Sequence, residues 1–316
     1  MIEDRVGKNQ GVYITKPLDT WHHEVRGSSA RVFLCNLKNN QYLYKPAAIK
    51  IMRPDKEDYA LPLFIEEVKI LKALDDVPGI TQMLEMGYIA PDSDYQFPYD
   101  TTSGGCENLQ GRIVRYEANE DISYKQIEDW ISLGWTPYIA LKLRNYKNNL
   151  LMLCDRAYTP NHEPFDLEKA IDVSIQICDI FSEAHSRNIV YLDHKILHFY
   201  WHENLSKAYV IDWNVGRKRD SSLSYVEKKF DVAQFGARAL HFIFTGRIAG
   251  AALPLGPTRP DEIQSVFTGY KANWIKPEDE HIPESLKELI SAIVNGEYFD
   301  FNKLRSDLKS FKKDTK

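Results

Sequence analysis

Three acidic and two basic side chains stand where they could act on a charged, oxygen-rich ligand. Asp193 follows the apolar run Ile189–Leu192, with Lys195 two residues on. Asp212 closes another apolar run, Ala208–Ile211, and lies 19 residues after Asp193. Far upstream, Lys50 ends the run Ala47-Ala48-Ile49, and Glu67 follows 17 residues later. Carboxylates can accept a proton or hold a hard cation, and a lysine fixed on a stiff strand can reach phosphate oxygens. Taken singly, each has a plainer reading. Lys50 reads as a solvent-facing lysine, Glu67 as an exposed helix carboxylate like Glu66, and Asp212 as a strand end leading into an Asx turn. The four cysteines, Cys35, Cys106, Cys154 and Cys178, are far apart and form no CxxC pair. Neither a zinc site nor a disulfide framework is expected from them.

The elements that must position these groups can be read from periodicity. Ala30–Leu37 and Ala47–Met52 are short apolar runs rich in branched residues and predict strands, with Asn39 and Asn40 between them as a hairpin requires. Leu63–Leu74 predicts a helix, because Phe64, Val68 and Leu71 recur at helical spacing and Pro78-Gly79 stops it. Ile80–Ile89 and Pro137–Leu143 read as further strands. Between them, Ala90 to about Trp135 breaks the rhythm with Pro, Asp, Ser and Gly clusters. A stretch of that length reads as an insertion, with a short helix over Tyr124–Leu133. After Asn145 the helical period takes over. Asp166 is placed to cap a helix ending near Arg187, with Cys178 as a small apolar residue on its inner face. Ile189–Leu192 and Ala208–Ile211 flank an irregular loop. Helices are predicted over Asp231–Thr245, ended by Gly246, then over Glu284–Val294 and Phe301–Phe311. A strand-rich part with one main helix thus precedes a mainly helical part, joined near Lys142–Lys147, and ligands favour a cleft between two such lobes.

Composition limits the classes. The chain has 316 residues, 43% hydrophobic and 27% charged, enough for a sizeable core. A formal charge of -5 gives no general attraction to nucleic acid or an anionic membrane. The run Arg217-Lys218-Arg219 reads as a solvated loop. The polar start, Met1–Gln10, has no apolar stretch of signal-peptide length, and no segment approaches a membrane span, so a cytoplasmic location is expected.

In order, the quoted segments resemble the eukaryotic-type (Ser/Thr) protein kinase family, as a divergent bacterial-like member, and the resemblance runs nearly end to end. Ala47-Ala48-Ile49-Lys50 is similar to the family's VAIK strand, and Phe64–Glu67–Leu71 to its helix with the paired glutamate. His185-Ser-Arg-Asn-Ile-Val-Tyr-Leu-Asp-His-Lys195 resembles the catalytic loop, and Val210-Ile-Asp-Trp-Asn214 the strand ending in DFG. Asp231-Val-Ala-Gln-Phe-Gly236 with Thr245-Gly246-Arg247 is similar to the helix whose aspartate accepts hydrogen bonds from the catalytic-loop backbone. The resemblance implies an α+β, bilobal kinase-like fold in one domain. It has a β-rich N-lobe at 1–143, including the insertion at 90–135, and a mainly helical C-lobe at 144–316. It also implies ATP and magnesium, or manganese, as cofactors. Asp193 would orient the acceptor hydroxyl and Lys195 would neutralise the transferring phosphoryl group. Lys50, oriented by Glu67, would hold the α- and β-phosphates, and Asp212 a metal. Gly27, Val32, Ala48, Leu141, Lys142 and Leu143 would line the nucleotide, with Leu141 at the back, Tyr138 beside Ala48 as a wall and the 142–144 backbone against adenine. The implied partners are ATP and a protein substrate or protein partner, with no nucleic acid and no membrane.

The chain also departs from the pattern. His198 stands where the family has a magnesium-holding asparagine, and imidazole is a poor magnesium ligand. It is expected instead to hydrogen-bond Asp193 or a phosphate oxygen. The glycine loop, Val25-Arg-Gly-Ser-Ser-Ala-Arg-Val32, keeps only Gly27 and Val32, and Asn214 replaces the DFG glycine. Leu192 replaces the arginine that would bind an activation-loop phosphate, and no APE motif lies between Asp212 and Asp231. The activation segment is therefore short and the activity, if present, constitutive. These departures keep two alternatives open: a pseudokinase that acts as a nucleotide-binding scaffold or regulator, and a small-molecule kinase, whose IDW strand end Ile211-Asp212-Trp213 matches. Against the latter stand Lys195 and the helix beginning at Asp231.

Overall fold

Alternation between apolar and polar residues, beginning at Val12, builds the first half of the chain into strands. In this computed structural model the described residues are 11–21, 24–25, 27–38, 44–91, 107–109, 112–118, 123–154, 165–247 and 282–314. The chain is α+β. It divides into two compact units, one comprising Met1–Asp75 and Thr81–Leu143, the other Asp76–Ile80 and Arg144–Lys316.

The first unit is built on an antiparallel sheet. Its strands are β1 (Gly11–Pro17), β2 (Ala30–Lys38), β3 (Tyr44–Met52), β4 (Met83–Ile89), β5 (Glu107–Asn108), β6 (Ile113–Glu117) and β7 (Thr136–Lys142). Their order across the sheet is β5-β1-β2-β3-β7-β4-β6. One face forms the core. Val12, Ile14, Phe33, Cys35, Leu37, Ala47, Ile49, Ile51, Tyr138 and Ala140 alternate into it along four strands. The sequence reading missed β1, whose Lys16 and Pro17 obscure the alternation. The Asn39–Asn40 turn lies outside the described residues. Helix α1 (Glu57–Ala73) begins well before the predicted Leu63 and carries Pro62 inside it, which leaves it one intrahelical hydrogen bond short.

The described parts of 90–135 belong to the sheet rather than standing apart from it. Strand β5 pairs with β1 at one edge and β6 with β4 at the other. Both edges are covered by short strands from the same stretch, which limits unpaired backbone at each edge. Helix α2 (Tyr124–Ser132) follows, with the Ser123 hydroxyl accepting from the Gln126 amide at 3.2 Å. Its Trp130 stacks on Tyr88 of β4 at 4.6 Å.

The second unit is mainly helical: α3 (Leu150–Cys154), α4 (Leu167–Ser186), α5 (Tyr225–Phe235), α6 (His241–Thr245), α7 (Glu284–Val294) and α8 (Phe301–Asp314). Asp166 caps α4 as expected, accepting from the Lys169 amide at 2.7 Å. Two small ladders pair β8 (Ile189–Val190) with β11 (Arg217–Lys218), and β9 (Phe199–His202) with β10 (Lys207–Val210). The helix expected over Asp231–Thr245 starts earlier, at a Ser224–Glu227 capping box, and is interrupted by a π turn at Gly236–Leu240. A Cβ on Gly236 would overlap Ile293, so glycine lets α7 approach this turn closely. Among the described residues, no helix is long and apolar enough to cross a membrane.

Candidate functional site

In the first unit the strand register decides which side chains share a face. Val32 pairs with Lys50 across β2 and β3, and Ala48 pairs with Leu141 across β3 and β7. Val32, Ala48, Lys50 and Leu141 therefore lie on the face opposite the apolar core. Lys50 is almost wholly buried, and its Nζ lies 2.7 Å from Oε2 of Glu67 on α1. A buried lysine needs such a partner, since an isolated ammonium is costly to desolvate. Tyr138, the proposed wall residue beside Ala48, points the other way. It is fully buried in the core, and its hydroxyl donates to Glu85 at 3.0 Å. Alternation sends a residue at an even step to one face and its neighbour to the other, and Tyr138 falls on the wrong step for a wall. The backbone of Lys142 is already engaged: its amide donates to Gln82 at 2.9 Å and its carbonyl accepts from the Thr81 hydroxyl at 3.4 Å. Lys142 is exposed and Leu143 half-buried.

The turn carrying Gly27 is held by charged groups that sequence reasoning missed. Arg31 is fully buried, and its Nε donates to Asp19 Oδ2 at 2.8 Å. The same carboxylate oxygen accepts the Val32 amide at 3.1 Å. Arg53 donates to the Gly27 carbonyl at 3.3 Å while pairing with Asp55 at 2.7 Å. A Cβ at Gly27 would overlap the Ala30 carbonyl oxygen, so the turn closes on itself there.

In the second unit, the loop after β8 carries Asp193, Lys195 and His198. Asp193 is 2% exposed, and its Oδ2 accepts from Lys195 Nζ at 2.9 Å. Asp212, just past β10, lies on the far side of His198, whose Nε2 is 3.4 Å from Asp212 Oδ2. Donor atoms of Asp193, His198 and Asp212 all fall within 4.8 Å of one another. Two oxygen ligands and one imidazole are a chemically sound set for a divalent cation. Leu192 and Asp212 have φ of +64° and +60°. Such angles are strained for residues with a Cβ, so surrounding contacts must hold them.

For Leu192 those contacts converge on Asp231 of α5, which is fully buried. Its two oxygens accept the Tyr191 amide at 3.1 Å, the Leu192 amide at 2.9 Å, His185 Nε2 at 2.8 Å and His194 Nε2 at 2.7 Å. Burial alone would raise its pKa, but His194 and His185 outweigh that and hold the carboxyl well below the usual range. Burial pushes the His194 imidazole down, against the opposing pull of the Asp231 carboxylate. The sequence reading gave Asp231 this supporting role towards the loop backbone. It did not find the two histidines, though His185 and His194 each lie on buried positions of the matched segment.

Tyr191 was also missed. Its hydroxyl donates to the Ile211 carbonyl at 2.7 Å and lies 3.0 Å from His198 Nδ1. His198 Nδ1 is also 3.0 Å from the Asp193 carbonyl oxygen, so the imidazole bonds the backbone of Asp193. Tyr191 packs edge-on against buried Trp213 at 4.7 Å, which ties the loop to the residue following Asp212. No family model matches the sequence, and no curated protein sequence matches it.

Proposed function

We propose that the chain is an ATP-dependent phosphotransferase of the protein-kinase type, moving a γ-phosphoryl group to a serine or threonine hydroxyl. The observation that carries this reading is the juxtaposition of Asp212, past β10, with Asp193 and Lys195 on a loop whose backbone is fixed by Asp231. In the proposed reaction the acceptor oxygen bonds to the γ-phosphorus as the bond to the β-bridging oxygen breaks. The acceptor proton passes to Asp193 and ADP leaves. Lys195 offsets charge on the transferring group. Lys50, oriented by Glu67, is assigned to the α- and β-phosphates. Asp212 and His198 would hold a divalent cation, which when bound supplies charge neutralisation at the phosphates. On this reading the domain is a single bilobal kinase-like one. Radiolabel transfer from ATP to a generic protein substrate tests the reading: transfer should occur with the native chain and vanish in Asp193→Asn. Equal labelling by both would sink it.

The turn around Gly27 favours a second reading, a pseudokinase that binds nucleotide without transferring phosphate. There the Asp19 carboxylate already accepts the Val32 amide. A carboxylate in that turn repels phosphate where the family relies on free backbone amides. Stabilisation by ATP with no transfer, in the native chain and Asp193→Asn alike, would select this reading.

A further inference from the structure

The bonding of His198 points beyond a magnesium site. Its Nδ1 faces two oxygens that accept: the Asp193 carbonyl at 3.0 Å, and the Tyr191 hydroxyl, whose one proton goes to Ile211. Nδ1 therefore carries the hydrogen, and in the neutral ring the lone pair sits on Nε2. That lone pair is on the side of Asp212 Oδ2, 3.4 Å away. The gap is long for a hydrogen bond to a carboxylate. It matches the spacing of two ligands that each bond one ion at about 2.1 Å. A ring nitrogen fixed by a hydrogen bond from its other nitrogen to a carbonyl is the usual support for a metal-ligating histidine.

We propose that His198 and Asp212, with the Asp193 carboxylate beside them, bind a first-row transition-metal dication directly, without nucleotide, and in preference to magnesium. The proposal rests on the phosphotransferase reading for what the ion would do, and on the three side chains alone for whether it binds. Imidazole nitrogen favours borderline cations, whereas magnesium demands oxygen and gives up its waters reluctantly. His198 Nε2 and Asp212 face each other, and the Asp193 carboxylate lies beside them, its Oδ2 held by Lys195 at 2.9 Å and 3.6 Å from His198 Nδ1. Tyr191 is a positioning residue that fixes the ring through Nδ1.

The test is a titration of the full nucleotide-free chain with Co2+, followed by visible absorption, with Mg2+ as competitor. One equivalent should bind, and about a hundredfold excess of Mg2+ should leave most of it in place. His198→Asn should weaken Co2+ by about tenfold or more. Tyr191→Phe, which keeps the ligands, should shift the absorption bands with a smaller loss of affinity. Displacement of Co2+ by an equal amount of Mg2+, or unchanged Co2+ affinity in folded His198→Asn, would overturn the proposal. Labelled-phosphate transfer measured with Mg2+ on the same sample separates the two ideas. Co2+ binding without any transfer keeps the metal site and removes the kinase reading. Transfer without selective Co2+ binding does the reverse.

Discussion

Lys50 and Asp193 are both charged and nearly buried, yet they are held by opposite means. Lys50 stands on a strand in the middle of a sheet, and its partner Glu67 stands on a helix. Regular backbone hydrogen bonding fixes both, and the ion pair joins two elements that would exist without it. Asp193 stands on a loop with no ladder to hold it. Its position depends on Asp231, which gathers two loop amides and two histidines. The first arrangement sets its charges on two regular elements. The second spreads them over a network that fails when its centre is removed.

That contrast predicts a ranking. Asp231→Asn should be the most damaging change, destabilising by about 4 kcal/mol, because one buried backbone N–H and one histidine face an amide NH2 instead of an acceptor and neutral bonds replace charge-assisted ones. Urea unfolding followed at the second unit would record it, and a loss below about 1 kcal/mol would remove Asp231 from the centre of the network. Lys50→Met should destabilise by about 3 kcal/mol, because it removes the ammonium 2.7 Å from the buried Glu67 carboxylate. The double variant Lys50→Met/Glu67→Leu should recover most of that loss, since both charges go together. No recovery would mean that α1 depends on the pair for its position. The two units should also differ in acid. The native Asp231 carboxyl lies well below its ordinary value of 3.8. The unfolded state therefore takes up a proton first, and stability present above about pH 4 falls as pH drops further. Native and Asp231→Asn proteins compared by thermal unfolding between pH 5 and 2, on the order of the carboxylate range, should converge towards the low end. Smallest of all, Lys303→Ala should cost about 0.5 kcal/mol or less, because its pair with Asp307 at 2.7 Å is largely exposed. A larger effect would show that α8 needs its surface charges.

The sequence made the regular parts plain and the irregular ones only in outline. Strands β2, β3 and β7 and helices α4 and α7 were legible because their apolar spacing is strong over their whole length. The Lys50–Glu67 pair and the roles of Asp193 and Asp212 were expected only from the resemblance of the quoted segments, taken in order. Strand β1 was not legible, because its short apolar set is broken by Lys16 and Pro17. Tyr138 was misplaced because a wall residue and a core residue differ by one step of alternation, and register fixes that step only when partner strands are known. Tyr191, His185 and His194 were invisible as partners of the site because their roles arise from contacts across the fold, between α4, the loop and α5. The same holds for Asp19 and Arg31, twelve positions apart and joined only by the folded turn.

The second unit is not one continuous stretch of chain. Asp76–Ile80 belongs to it, although 63 residues of the other unit follow before it resumes at Arg144. This short piece is built in: the Gly79 carbonyl accepts the Val210 amide at 2.8 Å, and a Cβ on Gly79 would overlap Ile180 of α4. A gene fragment starting at codon 144 would thus encode an incomplete unit, with β10 lacking its neighbour beside Asp212. A single crossover therefore cannot transplant either unit alone: one after residue 143 carries Asp76–Ile80 away with the first unit.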